Sequence, residues 1–175
     1  FKVLTRKLNL TQTEVNTWRV IAQNLKLRRR SDGVIEQFDG FFKKRYIELM
    51  HFDENGLPIL PSEIKVKDFH KTQLVKQADV LMLLFLLPEL FSNRTKVNNF
   101  WYYVKRTVHK SSLSPAIHAC LAAEIGEMSR AYQFFNIALR ADICNLHGNT
   151  AEGIHAASLG GTWMAVSYTH LRAHE

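Results

Sequence analysis

Three serines, two histidines and two cations crowd the stretch RTVHKSSLSPAIHA, residues 106 to 119. Ser114-Pro115 reads as an N-cap followed by a first-turn proline, so a helix is expected to begin there. A helix N-terminus exposes unpaired N–H groups and a partial positive charge, and therefore favours an anion. Ser111 and Ser112 add hydroxyl donors, while Arg106, His109 and Lys110 add positive charge. That is the inventory a phosphate needs. A capped helix with a polar lead-in accounts for the same residues, and the stretch alone favours that plainer reading.

Three other stretches hold residues suited to chemistry. HGNTAEGIHAASLGGTWMA, residues 147 to 165, places Gly160-Gly161 inside a helical pattern at a cost of roughly 2 kcal/mol relative to two alanines. Close approach of the backbone to a ligand or to a neighbouring helix would compensate. His155 and Glu152 lie three apart and could share a helical face. A glycine-mediated helix crossing with a core histidine fits equally well. LVKQADVLMLLFLLP opens on Lys76 and Gln77, whose several donors and one acceptor suit sugar hydroxyls. Two exposed residues ahead of a buried run would look the same. In EQFDGFF, Glu36, Gln37 and Asp39 sit between aromatics, which suits either a saccharide or a structured turn.

Helices must position nearly all of these residues. Thr11 and Glu14 form a capping box ahead of Val15, Trp18, Ile21, Ala22 and Leu25, which share one face; Ser31-Asp32-Gly33 is read as its end. VIEQFDGFF reads as a short extended turn and KKRYIELM as a second helix. HFDENGLPILPSEIKVKDF, with two of the four prolines, is the best loop. An apolar helix runs from about Lys71 to Leu87 and stops at Pro88. Ser92 or Asn93 caps an aromatic helix ending in NNFWYYV, and IHACLAAEIG closes on Gly126. MSRAYQFFNIALRADI is amphipathic, and Thr150 is read as the cap of a last helix, AEGIHAASLGGTWMAV. Paired helices with single apolar faces give an all-α layered or toroidal packing.

Composition sets the outer limits. The 175 residues fit one domain, and the net charge of +7 allows nucleic acid, an acidic membrane surface or a small anion as partner. The densest basic cluster, LKLRRRS at residues 25 to 31, reads first as a solvated helix end. As a rival it could make the chain a nucleic-acid-binding module. Cys120 and Cys144 lack metal-site spacing and are read as buried free thiols in a reducing cytoplasm. The longest apolar run, Val80 to Leu87, is far short of the roughly 20 residues that cross a bilayer.

Taken in order, IEQFDGFF, LVKQADVLMLLFLLP, RTVHKSSLSPAIHACLAAEIG and GNTAEGIHAASLGGTWMAV resemble glycoside hydrolase family 65, which includes phosphorylases of α-linked glucose disaccharides such as maltose, trehalose and kojibiose. The resemblance runs from about residue 1 to Val166 and implies a partial (α/α)6 barrel, the C-terminal portion of the family's catalytic domain. It implies inverting phosphorolysis to β-glucose 1-phosphate, with phosphate as nucleophile and one carboxylic acid protonating the leaving oxygen. Ser111, Ser112, His155, Gly160 and Gly161 would then bind phosphate, and Lys76 and Gln77 the glucosyl hydroxyls. The family's catalytic acid lies in a motif N-terminal to Phe1, so no residue here is assigned that role and the chain alone is expected to be inactive. Family members that hydrolyse α-glucosides would use water instead. The implied partners are an α-linked glucose disaccharide and inorganic phosphate as co-substrate. No other cofactor, no metal, no nucleic acid and no membrane is expected, and a homodimer is left open for the intact enzyme. Lys110 stands where relatives more often carry a small or acidic residue, and Val104 where many carry Glu. Residues 167–175, SYTHLRAHE, resemble translated adaptor read-through and are set apart as a tail.

Overall fold

The computed structural model describes residues 7–77 and 79–171, with the side chains of the final helix described as far as Ser167. Among the described residues six α-helices dominate: α1 Gln12–Asn24, α2 Asp79–Leu86, α3 Asn93–Val104, α4 Ser114–Glu124, α5 Met128–Arg140 and α6 Ala156–Leu171. None of them is long and apolar enough to cross a membrane. The all-α expectation needs one amendment, a two-stranded antiparallel hairpin of β1 His51–Phe52 and β2 Pro58–Ile59. It falls in the stretch read as loop, where Asp53 Oδ1 accepts from the Asn55 and Leu57 N–H groups and turns the chain.

Helix α4 is the centre of the molecule. Every residue from Ser114 to Ala123 is buried, and the small side chains of Ala116, Ala119, Cys120, Ala122 and Ala123 let α2, α3, α5 and α6 pack around it. Its end follows the expected glycine signal. Gly126 takes φ +84°, its N–H bonds Ala123 O, and the Glu127 N–H reaches back to Ala122 O, a Schellman closure. Helix α5 buries Ala131, Phe134, Ile137 and Ala138 on one face, as its amphipathic spacing requires. Ser92 caps α3 through the Thr95 N–H, and Thr11 with Glu14 forms the capping box of α1.

Several elements differ from the sequence reading. KKRYIELM is not helical: Arg45 bridges Thr72 in parallel, and the Arg45 carbonyl accepts the Gln73 N–H. The apolar helix starts at Asp79 and not near Lys71, because the backbone around Val75 is bonded to residues 106–108. Helix α1 stops at Asn24, seven residues before Ser31-Asp32-Gly33, which is instead the tip of a tight reversal in which Arg29 bridges Ile35. LKLRRRS is exposed as expected and begins at the α1 C-cap, Leu25, but its arginines lie beyond the helix in the reversal. Arg28 pairs with Asp39 and Arg30 with Asp32, while Arg29 lies over Phe91 and Arg30 over Phe42 and Tyr102. Cys144 is exposed, and only Cys120 is the buried thiol expected of both. The last helix continues to Leu171, inside the segment set apart as a tail; residues 172–175 lie outside the described residues.

Candidate functional site

The EQFDG and KQADV motifs meet at Asp79. Two buried groups on α3 hold the first of them. Asn99 Oδ1 accepts the Ile35 N–H at 2.8 Å, and the Tyr103 hydroxyl donates to the Ile35 carbonyl at 2.6 Å. Ile35 so fixed presents Gln37, whose Nε2 donates to Asp79 Oδ2 at 2.8 Å, while Gln77 Nε2 reaches Asp79 Oδ1 at 3.4 Å. Glu36, Gln37, Asp39 and Asp79 line a cavity of about 280 Å³ together with Lys26 and Arg28. Lys76 is exposed and Gln77 half-buried; neither lines this cavity.

A short parallel pairing joins this region to the serine stretch. The Val75 N–H donates to Arg106 O at 2.9 Å, and the Val108 N–H donates to Val75 O at 3.0 Å. Lys76-Gln77 therefore follows directly on the bridge that pairs Val75 with Thr107, and Gln77 shares the wall of a small cavity with Leu113, Ser114 and His118. Ser114 begins α4, but its hydroxyl does not cap the helix. It is hydrogen-bonded to His109 Nδ1 at 3.0 Å, and its carbonyl accepts from His118 Nδ1 at 2.8 Å. Ser111 and Ser112 are half-buried, and among the described residues neither hydroxyl has a protein partner.

The Gly-Gly helix packs on α4 and α5. Thr150 does not cap α6; it starts a separate 3-10 turn that ends at Gly153, φ +133°, so Glu152 and His155 share no helical face. His155 precedes α6 and its carbonyl accepts the Ser158 and Leu159 N–H groups. Gly161 crosses α4 at its first turn, where an added Cβ would stand 2.7 Å from Ala116 Cβ; at Gly160 nothing lies within 4 Å. The crossing sets the second turn of α6 on the first turn of α4, with Ser111-Ser112 leading into α4 and His155 into α6.

A family model of the glycosyl hydrolase family 65 central catalytic domain matches residues 1–164. The chain belongs to glycosyl hydrolase family 65. A kojibiose phosphorylase of Caldanaerobacter subterraneus subsp. tengcongensis is 42% identical over 96% of this chain and 22% of that relative. An alpha,alpha-trehalose phosphorylase of Thermoanaerobacter brockii is 38% identical over 95% of the chain and 21% of the relative. A solved structure described as a candidate kojibiose phosphorylase from human microbiome is 33% identical, with a TM-score of 0.75, over 94% of this chain and 22% of that one. This family 65 chain thus spans about a fifth of the length of the relatives it matches.

Four polar groups of the region escape a reading by motif. Asp79 is bonded by both glutamines. Gln73 is buried and hydrogen-bonds Phe42 O, Lys44 O, Tyr102 and Arg106. His118 is buried in the middle of α4. Asp142 holds His155 by both the ring Nδ1 and the backbone N–H. Asp79 could have been found within KQAD, since a carboxylate two residues from an amide invites pairing. Asp142 lies thirteen residues before its histidine, across a turn, and no spacing rule connects them.

Proposed function

We propose that this chain contributes the phosphate side and part of the glucose subsite of an inverting disaccharide phosphorylase, within a partial (α/α)6 barrel. Inorganic phosphate attacks the anomeric carbon of an α-linked glucose disaccharide and β-glucose 1-phosphate leaves; the acid that protonates the leaving oxygen is supplied from outside this chain. Ser111, Ser112 and His155 hold the phosphate, with Gly160 and Gly161 allowing the backbone near it, and Lys76 and Gln77 bind the glucosyl hydroxyls. The observation that supports the reading is the packing of Gly161 on Ala116, in the first turn of the helix that Ser111 and Ser112 lead into. Polar groups fixed in advance by Asp79 and Asp142 suit a site that must hold a desolvated anion against a sugar.

The experiment is kinetic. In a full-length family 65 phosphorylase carrying this segment, Ser111→Ala with Ser112→Ala should raise KM for phosphate by at least about tenfold, or about 1.4 kcal/mol. KM for the disaccharide should change far less. Equal losses on both substrates would remove the serines from the phosphate site. The isolated 175-residue chain should show no phosphorolysis of kojibiose, trehalose or maltose.

A further inference from the structure

The cluster around His155 fixes more than the place of its ring. Asp142 Oδ2 accepts the His155 backbone N–H at 2.9 Å, and Asp142 Oδ1 is bonded to ring Nδ1. A carboxylate only accepts, so Nδ1 carries the proton. The same bonds hold the Asp142 carboxyl below its ordinary range, the ring hydrogen bond foremost, which keeps it an acceptor. On the other side Nε2 faces Asn149 Nδ2 at 3.2 Å. An amide N–H pointing at Nε2 requires a lone pair there. The two hydrogen bonds together put the proton on Nδ1 and leave Nε2 as the acceptor, while the His147 ring packs 6.3 Å from that of His155.

We propose that His155 meets phosphate as a hydrogen-bond acceptor, receiving the O–H of hydrogenphosphate on Nε2, and that Asp142 is the positioning residue that fixes the required tautomer. This rests on the phosphate role given to His155 above. The phosphate O–H takes the place of the Asn149 N–H, and no proton changes owner. The three unprotonated oxygens are then left for the hydroxyls of Ser111 and Ser112 and for attack on the sugar. A ligand without a proton to give sets a lone pair against a lone pair at Nε2. Sulfate is that ligand: it matches hydrogenphosphate in shape and charge and carries no hydrogen.

The test is a titration of the 175-residue chain with inorganic phosphate and, separately, with sulfate. It is run at about pH 8, above the second phosphate pKa, following the two ring ¹⁵N signals of His155 by NMR. The free chain should show Nδ1 protonated and Nε2 bare. Phosphate should bind at least about tenfold more tightly than sulfate and leave Nε2 unprotonated. In Asp142→Asn the tautomer should become mixed and the preference fall toward equality, and Asn149→Ala should keep both the tautomer and the preference. The unsubstituted chain decides the matter even where a variant fails to fold. Equal binding of both anions at His155, or an Nε2 protonated in the phosphate complex, overturns the acceptor role and leaves the phosphate site standing. Signals of His155 that move with neither anion overturn the phosphate role itself.

Discussion

Two adjacent glycines in α6 do different things, and the difference can be measured. A Cβ at Gly161 would stand 2.7 Å from Ala116 Cβ, on a helix that is itself buried on every side, whereas a Cβ at Gly160 would enter open space. Gly161→Ala should destabilise the fold by about 1–3 kcal/mol through overpacking. Gly160→Ala should be neutral or stabilising by up to about 1 kcal/mol, since alanine is the better helix former. Urea denaturation separates the two. Adding Ala116→Gly to Gly161→Ala should restore most of the loss, and a loss of the same size from both single variants would refute the assignment. The pair GG in a helical pattern was enough to expect a close approach, but not to say which glycine makes it. That depends on the rotation of α6 about its axis, which only the packing against α4 determines. The same holds for the candidate site: Ser111, Ser112 and His155 could be picked by type, whereas Asp142, which orients the histidine, is visible only once distant segments meet.

At the scale of elements, three signals carried by adjacent residues were readable, whereas the caps expected at Ser114 and Thr150 and the signals carried by distant partners were not. The capping box of α1, the Ser92 cap of α3 and the glycine closure of α4 depend on residues within one turn of the boundary, and all three stand as expected. KKRYIELM and Lys71–Gln77 have helical-looking composition but are held extended by Gln73. Its Nε2 donates to Phe42 O at 3.1 Å and Lys44 O at 3.0 Å, and its Oε1 accepts from the Tyr102 hydroxyl and Arg106 Nε, both at 2.9 Å. One buried amide thus satisfies four groups from two segments. Gln73→Ala leaves them short of partners in a low-dielectric setting and should cost about 1–3 kcal/mol. Gln73→Glu keeps the acceptor for Tyr102 and Arg106 but aims a second oxygen at two carbonyls, and should be no better than alanine. Thermal denaturation of the two variants checks this, and a glutamate variant as stable as the parent would show that the donor side of Gln73 matters little.

Over the whole molecule, one buried cluster ties the serine stretch to the core and makes stability depend on pH. His109 and His118 are 3% and 1% exposed, their rings 4.6 Å apart and both against Phe134. They join the segment leading into α4 to α4 itself and to α5, so their charge state is felt by the entire fold. Burial pushes His118 down to about 4 and holds His109 well below the ordinary histidine range. In the unfolded chain both return to about 6.5. Between those limits the unfolded state binds more protons than the folded one. The stability contributed by the two neutral rings is therefore complete above about pH 6.5 and is lost as pH falls toward 4. His118 alone accounts for about 3 kcal/mol across that window, at about 1.4 kcal/mol per pH unit. Carboxylates held low by hydrogen bonds, such as Asp142 and Asp68, lose their contribution only below the ordinary carboxylate range, so the interval from about pH 6.5 to 5 isolates the histidines. Urea denaturation across that interval should show stability falling with acidity at a slope set by more than one histidine. His118→Asn offers an uncharged N–H to the Ser114 carbonyl that His118 Nδ1 now bonds, and should flatten part of the slope while lowering stability at neutral pH by the lost ring packing. A parent curve level from about pH 6.5 to 5 would mean that neither ring is held neutral by its burial.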